Sequence, residues 1–288
     1  MSSQSDILLT FETLPKTSVL SLFRKHHGTI LPVIKSTCSN VIPFDVQKYN
    51  EICHFTDQDN YLAITYPQLL AAPLHYQIVT HPQFPFPAIG LVHVEQHITS
   101  HHPIPTTAIL SIHTWCDNLH QVRSGYHFSL HTEVFDSSQK LLWKGESVVL
   151  TKHLLGHKQK NASVSKEPLI YTKTQSLLVP ENQGRIYAAV SKDWNLIHVH
   201  WIFAKLFGFQ RAIVHGMWTM AVAIAFAKKQ GVEGKSYHAR FLRPVFLPST
   251  IVFGISTSPD NLSHIHVLRK DTQKTHLEID IKRTSPNQ

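Results

Sequence analysis

"HGMWTMAVAIAFAKKQG", residues 215–231, decides the fold. From Met217 to Ala227 it is apolar almost all round. It then closes on Lys228, Lys229 and Gly231, which suit the C-terminal end of a helix. A helix that is apolar on every face must be wrapped by protein, and this one is too short to cross a bilayer. A sheet curled around it solves the burial problem, and strand signals follow at once. "STIVFGI" (249–255) is rich in β-branched residues, and "THLEIDIKR" (275–283) alternates Leu277, Ile279 and Ile281 with polar neighbours, so one face is buried. Upstream, "WIFAKLFGF" (201–209) places Ile202, Phe203, Leu206 and Phe207 on one side of a short helix that ends near Gly208.

The chain before this region holds a weak echo of it. "HVEQHITSHHPIPTTAILSI" (93–112) and "VFDSSQKLLWKG" (134–145) resemble "HARFLRPVFLPSTIVFGI" (238–255) and "VLRKDTQKTHLEI" (267–279). Each pair reads as a strand, a Pro-rich turn, another strand and a hairpin. An internal duplication and a chance likeness of two antiparallel meanders both fit. The polar, basic stretch "HLLGHKQKNASVSK" (153–166) reads as a linker. The expected organisation is therefore a first repeat over 1–155, a linker over 156–168 and a second repeat over 169–288. Each repeat is α+β, an antiparallel sheet around a central helix. In the first half the matching apolar stretch, "YLAITYPQLLAAPLHYQIV" (61–79), carries Pro67 and Pro73, which are expected to break or shorten a helix there. That half looks like a copy kept for shape.

Composition narrows the partners. The chain has 288 residues, 42% hydrophobic and 16% charged, enough to bury a core. Its formal charge of +8, from 27 Lys and Arg against 19 Asp and Glu, favours an anionic partner. No basic run is interleaved with stacking aromatics, so nucleic acid is not expected. A phosphate-bearing small molecule or an acidic carrier protein fits. No apolar run reaches membrane-span length, and the N-terminus lacks a basic segment followed by an apolar one. Cys38, Cys53 and Cys116 are few and widely spaced, which suggests a reducing, cytoplasmic setting. No His or Asn pattern marks Cys53 or Cys116 as a nucleophile.

The chemistry-bearing stretch is "SKDWNLIH" (191–198), with Asp193, Asn195 and His198 among apolar neighbours. By itself it reads as a helix cap, with Asp193 or Asn195 in that role and His198 a core histidine. "RAIVHGM" (211–217) changes the balance. His215 and Gly216 directly precede the central helix, where free N–H groups and the positive dipole end suit a developing oxyanion. An acid/base pair plus an oxyanion site suits proton transfer beside a carbonyl.

"SKDWNLIHVHWIFAKLFGFQRAIVHGMWTMA" (191–221) resembles the hydratase motif of the MaoC-like dehydratases, the (R)-specific enoyl-CoA hydratases of hot-dog fold. "RFLRPVFLPSTI" (240–251) is similar to the strand that follows the family's central helix. "TYPQLLAAPLHYQIVTHPQFPFPAIGLVH" (65–93) resembles the degenerate repeat of two-domain members. The resemblance implies a double hot dog acting on a trans-2-enoyl thioester, CoA-bound or carrier-bound, without metal or redox cofactor. Asp193 and His198 would hold and activate one water, with Asn195 orienting them. The backbone near Gly216 would hold the thioester carbonyl, with His215 and Trp218 in the substrate site. Arg240, Arg243, Lys205 and Arg211 are candidates for the thioester's phosphates. Trp194 is a candidate for the acyl tunnel, and Asp193, His198, His200 and His215 form a less favoured metal cluster.

The sequence departs from the family pattern at four places. Lys192 stands for the usual Gly, Leu196 for Pro, His200 for Asp, and Ile224 for a hydroxyl-bearing residue of some members. A thioesterase and a non-catalytic acyl-thioester-binding or partner subunit are the alternatives. Two hot dogs in one chain can also pair again as a homodimer.

Overall fold

The computed structural model describes residues 7–10, 30–56, 60–152, 170–258 and 262–282. The proposed linker, 156–168, lies outside them. Strands β1 (Ile7–Thr10), β2 (Ile34–Val41), β3 (Leu91–Ser100), β4 (Leu110–Val122), β5 (Gly125–Phe135) and β6 (Leu141–Lys152) precede that gap. Strands β7 (Lys173–Val179), β8 (Ser236–Phe241), β9 (Ser249–Thr257), β10 (Leu262–Arg269) and β11 (Thr275–Lys282) follow it. Among the described residues they form one sheet in the order β1-β2-β4-β5-β6-β3-β8-β11-β10-β9-β7. Apart from β1, the order reads the same from either edge if β2, β4, β5, β6 and β3 correspond to β7, β9, β10, β11 and β8. The hairpins quoted above, β5–β6 and β10–β11, occupy matching places. The pairings are antiparallel with one exception, β1 beside β2, which is parallel. The two halves meet where β3 pairs β8, with Gln96 opposite Ala239 and His97 opposite His238.

Two long helices fill the concave side. Helix α2 (Tyr66–Thr80) lies against β2, β4 and β5, after the short α1 (Val46–Ile52). Its fifteen residues correct the expectation that Pro67 and Pro73 would cut it down. Pro67 falls in the first turn, where the missing N–H has no helical partner to lose. Pro73 is interior, and the lost bond is offset by burial of Leu69, Leu70, Leu74 and Ile78, each contributing roughly 1.5–3 kcal/mol.

The second half adds α3 (Gln183–Ser191), α4 (Leu196–Val199), α5 (Trp201–Leu206) and the central α6 (Gly216–Lys229). Every residue of α6 from Trp218 to Ala227 is buried, as an all-round apolar helix requires. It packs on β9, β10 and β11. One apolar core joins Tyr49, Tyr66 and Trp143 of the first half to Trp218, Phe226 and Phe253 of the second. This is a double hot dog, two antiparallel sheets fused edge to edge and wrapped around buried helices. Among the described residues no helix is long and apolar enough to cross a membrane.

Helix α5 departs from expectation. Among the described residues its apolar side is not covered: Ile202, Phe203 and Leu206 are exposed, as are Trp194, Leu196 and Trp201 around it.

Candidate active site

The site forms where the loop after α3 passes the start of α6. Asp193 follows the end of α3, and His198 lies on α4. His215 is the residue before α6, with extended φ −62° and ψ 135°. The Asp193 carboxylate and ring nitrogens of His198 and His215 all lie within 4.8 Å of one another. The two rings stack, with centroids 3.8 Å apart and planes 28° apart.

Hydrogen bonds fix the tautomers. Nδ1 of His198 is 2.8 Å from the carbonyl of Ile213. A carbonyl only accepts, so Nδ1 carries the proton and Nε2 keeps its lone pair. Nε2 of His215 donates to the backbone carbonyl of Asp193 at 2.9 Å and stands 3.8 Å from the Asp193 carboxylate. Its Nδ1 is buried and has no hydrogen-bond partner among the described residues. Burial holds the His198 ring below its ordinary range, against the pull of Asp193. Burial, then the neighbouring His198, holds His215 down at about 3. Both imidazoles are therefore neutral at pH 7. Asp193 has about half its side chain in solvent, whereas His215 is buried.

Among the described residues no side chain caps the first turn of α6, and N–H groups at such a helix start suit an anionic ligand. A Cβ on Gly216 would stand 3.1 Å from the Phe241 ring. The glycine thus lets this backbone pass close to β8.

Several expected site residues have other roles. Asn195 makes no bond to the side chain of His198. It caps α4, its Oδ1 accepting from Ile197 N, while its own N–H donates to Asp193 Oδ1 at 3.2 Å. Trp218 is 1% exposed and donates to the Ile52 carbonyl at 3.0 Å, so its ring is built into the core. His200 caps α5 through Nδ1 and stands apart from the Asp193, His198 and His215 set.

The cations are partly engaged already. Arg240 leaves the sheet on the face opposite Phe241 and is paired with Asp280 at 2.8 Å and Glu278 at 3.2 Å. It therefore points away from the site. Arg243 binds the Thr275 carbonyl, Arg211 binds the Pro248 carbonyl, and Lys205 lies 4.8 Å over the Trp201 ring.

Two residues were missed from sequence. His93, on β3 of the first half, packs its ring 4.8 Å from Phe241 and feels the Asp193 charge. A β-bulge between His93 and Glu95 turns His93 inward while Glu95 points out. Nothing in a lone histidine announces such a bulge. Gly184, on α3, approaches the backbone of α4 so closely that a Cβ would fall 1.9 Å from the His198 carbonyl oxygen. An isolated glycine inside a helical stretch was the available signal.

Comparison with known proteins follows the same lines. Residues 160–277 match the model of the MaoC like domain. The 3-hydroxyacyl-thioester dehydratase X of Mycobacterium tuberculosis is 33% identical over 198 residues, covering 66% of this chain and 68% of that protein. The peroxisomal enoyl-CoA hydratase 2 of Arabidopsis thaliana is 25% identical over 189 residues, covering 59% of this chain and 61% of its own length. The crystal structure of HtdX of Mycobacterium tuberculosis superposes with a TM-score of 0.73 at 28% identity, covering 85% of this chain and 98% of that one. A MaoC-like dehydratase from Phytophthora capsici shares the fold, with a TM-score of 0.73 at 19% identity over 90% of this chain and 97% of its own. The chain belongs to the MaoC-like dehydratases and is a hydratase/dehydratase enzyme of double hot-dog fold.

Proposed function

We propose that the protein reversibly hydrates trans-2-enoyl thioesters, carried on CoA or on acyl carrier protein, to (3R)-hydroxyacyl thioesters. The observation that carries this reading is the meeting of the Asp193 carboxylate, the free Nε2 of His198 and the uncapped start of α6. A water placed between Asp193 and His198 has an acceptor on each side. As its oxygen bonds C3, Nε2 of His198 takes its proton, and that proton passes to C2 on the same face. The enolate-like charge on the thioester oxygen is met by N–H groups near Gly216. Dehydration is the same path reversed.

His215 is a positioning residue, holding the Asp193 backbone and backing the His198 ring. The exposed Trp194 and Leu196, neighbours of Asp193 in the chain, offer an apolar surface to the acyl or pantetheine portion. The reading requires neither metal nor redox cofactor.

Incubation with crotonyl-CoA tests it, with chiral analysis of the product. Loss of the enoyl absorbance with formation of the (3R) alcohol is expected. Release of free CoA would favour the thioesterase reading, and no turnover of CoA-bound or carrier-bound substrates would favour a binding subunit.

A further inference from the structure

The junction of the two halves carries a second cluster on the outer face of the sheet, away from α6. One lateral row crosses the strands there. His131 pairs Glu146, Glu146 pairs His97, His97 pairs His238, His238 pairs Asp280, and Asp280 pairs His264. The row is symmetric about the β3–β8 seam: histidine, carboxylate, histidine, then histidine, carboxylate, histidine. At its centre the rings of His97 and His238 stack with centroids 4.0 Å apart. The bulge after His93 puts Glu95 on the same face. Its Oε2 lies 2.8 Å from His238 Nε2 and 3.5 Å from His97 Nε2. A depression of about 180 Å³, lined in part by His97, His238 and Asp280, opens beside them.

We propose that Glu95, His97 and His238 form a binding site for a divalent transition-metal ion of the zinc class, which clips the two halves together across β3 and β8. The donor set is two imidazoles and one carboxylate, which suits zinc with water as a fourth ligand. One ligand atom from each residue lies within 4.8 Å of the other two. Bonds of about 2.0–2.2 Å in a tetrahedron put ligand atoms roughly 3.4 Å apart, so the two stacked rings must each turn out of their parallel planes to aim both lone pairs at one ion.

The surroundings favour a cation. Asp280 accepts from His264 at 2.7 Å, and Glu146 lies across from His97. Arg240, across from Glu95, is paired with Glu278 and Asp280, and Lys282 also lines the depression. Zinc binding moves the His238 proton from Nε2 to Nδ1. That exchanges the 2.8 Å hydrogen bond to Glu95 for the ion, and it requires the Arg240 N–H, now 3.4 Å from Nδ1, to turn away.

Zinc titration of the chelator-treated full chain against a chromophoric competitor tests the site. Wild type should bind one equivalent at least about 10-fold more tightly than Glu95→Gln, His97→Ala or His238→Ala. Cobalt should give a tetrahedral-type visible spectrum that each variant loses. Zinc should raise the Tm of wild type only, because an ion that binds the folded chain stabilises it. Glu95→Gln is near-isosteric and keeps the strand pairing, and all three variants should retain wild-type enoyl thioester turnover. Equal zinc affinity in wild type and variants would overturn the proposal. So would an equivalent that survives Glu95→Gln but is lost in Asp193→Asn, which would assign the ion to the Asp193, His198 and His215 set.

Discussion

At the scale of single residues, Lys192 shows how a departure from the family pattern is accommodated. It ends α3 with φ +59°, a left-handed conformation that favours glycine. The family's usual glycine suits that geometry. Here Nζ of Lys192 bonds the Ala189 carbonyl at 2.8 Å and sits 3.8 Å from Asp45. These exposed contacts return little. Lys192→Gly should therefore raise the unfolding free energy by about 1 kcal/mol with turnover retained, as read from urea midpoints. Unchanged or lower stability would mean the lysine contacts outweigh the backbone strain. That Asp193, His198 and His215 come together was legible in sequence because they lie in two short stretches. The role of Trp218 was not: a tryptophan on an all-apolar helix looks the same whether it faces a ligand or the core. Only the Ile52 carbonyl, 166 residues away in sequence, separates the two.

At the scale of elements, the site depends on α3 and α4 touching. Gly184 allows it, and Arg185 binds the Val199 carbonyl at 3.1 Å from the next position. Gly184→Ala would drive a methyl group into the His198 backbone, which cannot rotate away as a side chain can. The expected cost is about 2 kcal/mol of stability, together with a fall in kcat from displacement of Nε2. Thermal unfolding and turnover measured on one preparation check both, and a fully active Gly184→Ala would show that α4 yields without moving the ring. The central helix was plain from its unbroken apolar run. Helix α2 was underestimated because its prolines speak locally, whereas the apolar burial that holds it comes from β2, β4 and β5.

At the scale of the molecule, the repeated strand order was only faintly visible as an echo of hairpins, since pairing partners are distant in sequence. The finished core also buries histidines that must stay neutral. Burial pushes His75 and His215 to about 3 and His93 to about 4. The unfolded chain binds protons at these positions near 6.5, the folded one only far below. Between those values the unfolded state carries more protons, so stability rises with pH and is lost as pH falls below about 6.5. Each such group contributes up to about 1.4 kcal/mol per pH unit in that window. Urea midpoints at pH 7 and pH 5 should thus differ by several kcal/mol in unfolding free energy. A flat profile would show that these rings are solvated.

Joint activation of one water by Asp193 and His198 is the step proposed to drive the reaction. Its most direct test is the crotonyl-CoA hydration rate of wild type beside Asp193→Asn and His198→Ala, each checked for fold by circular dichroism. Both variants should lose about 10²–10⁴-fold in kcat with the fold intact. A folded variant that keeps wild-type turnover would contradict the assignment.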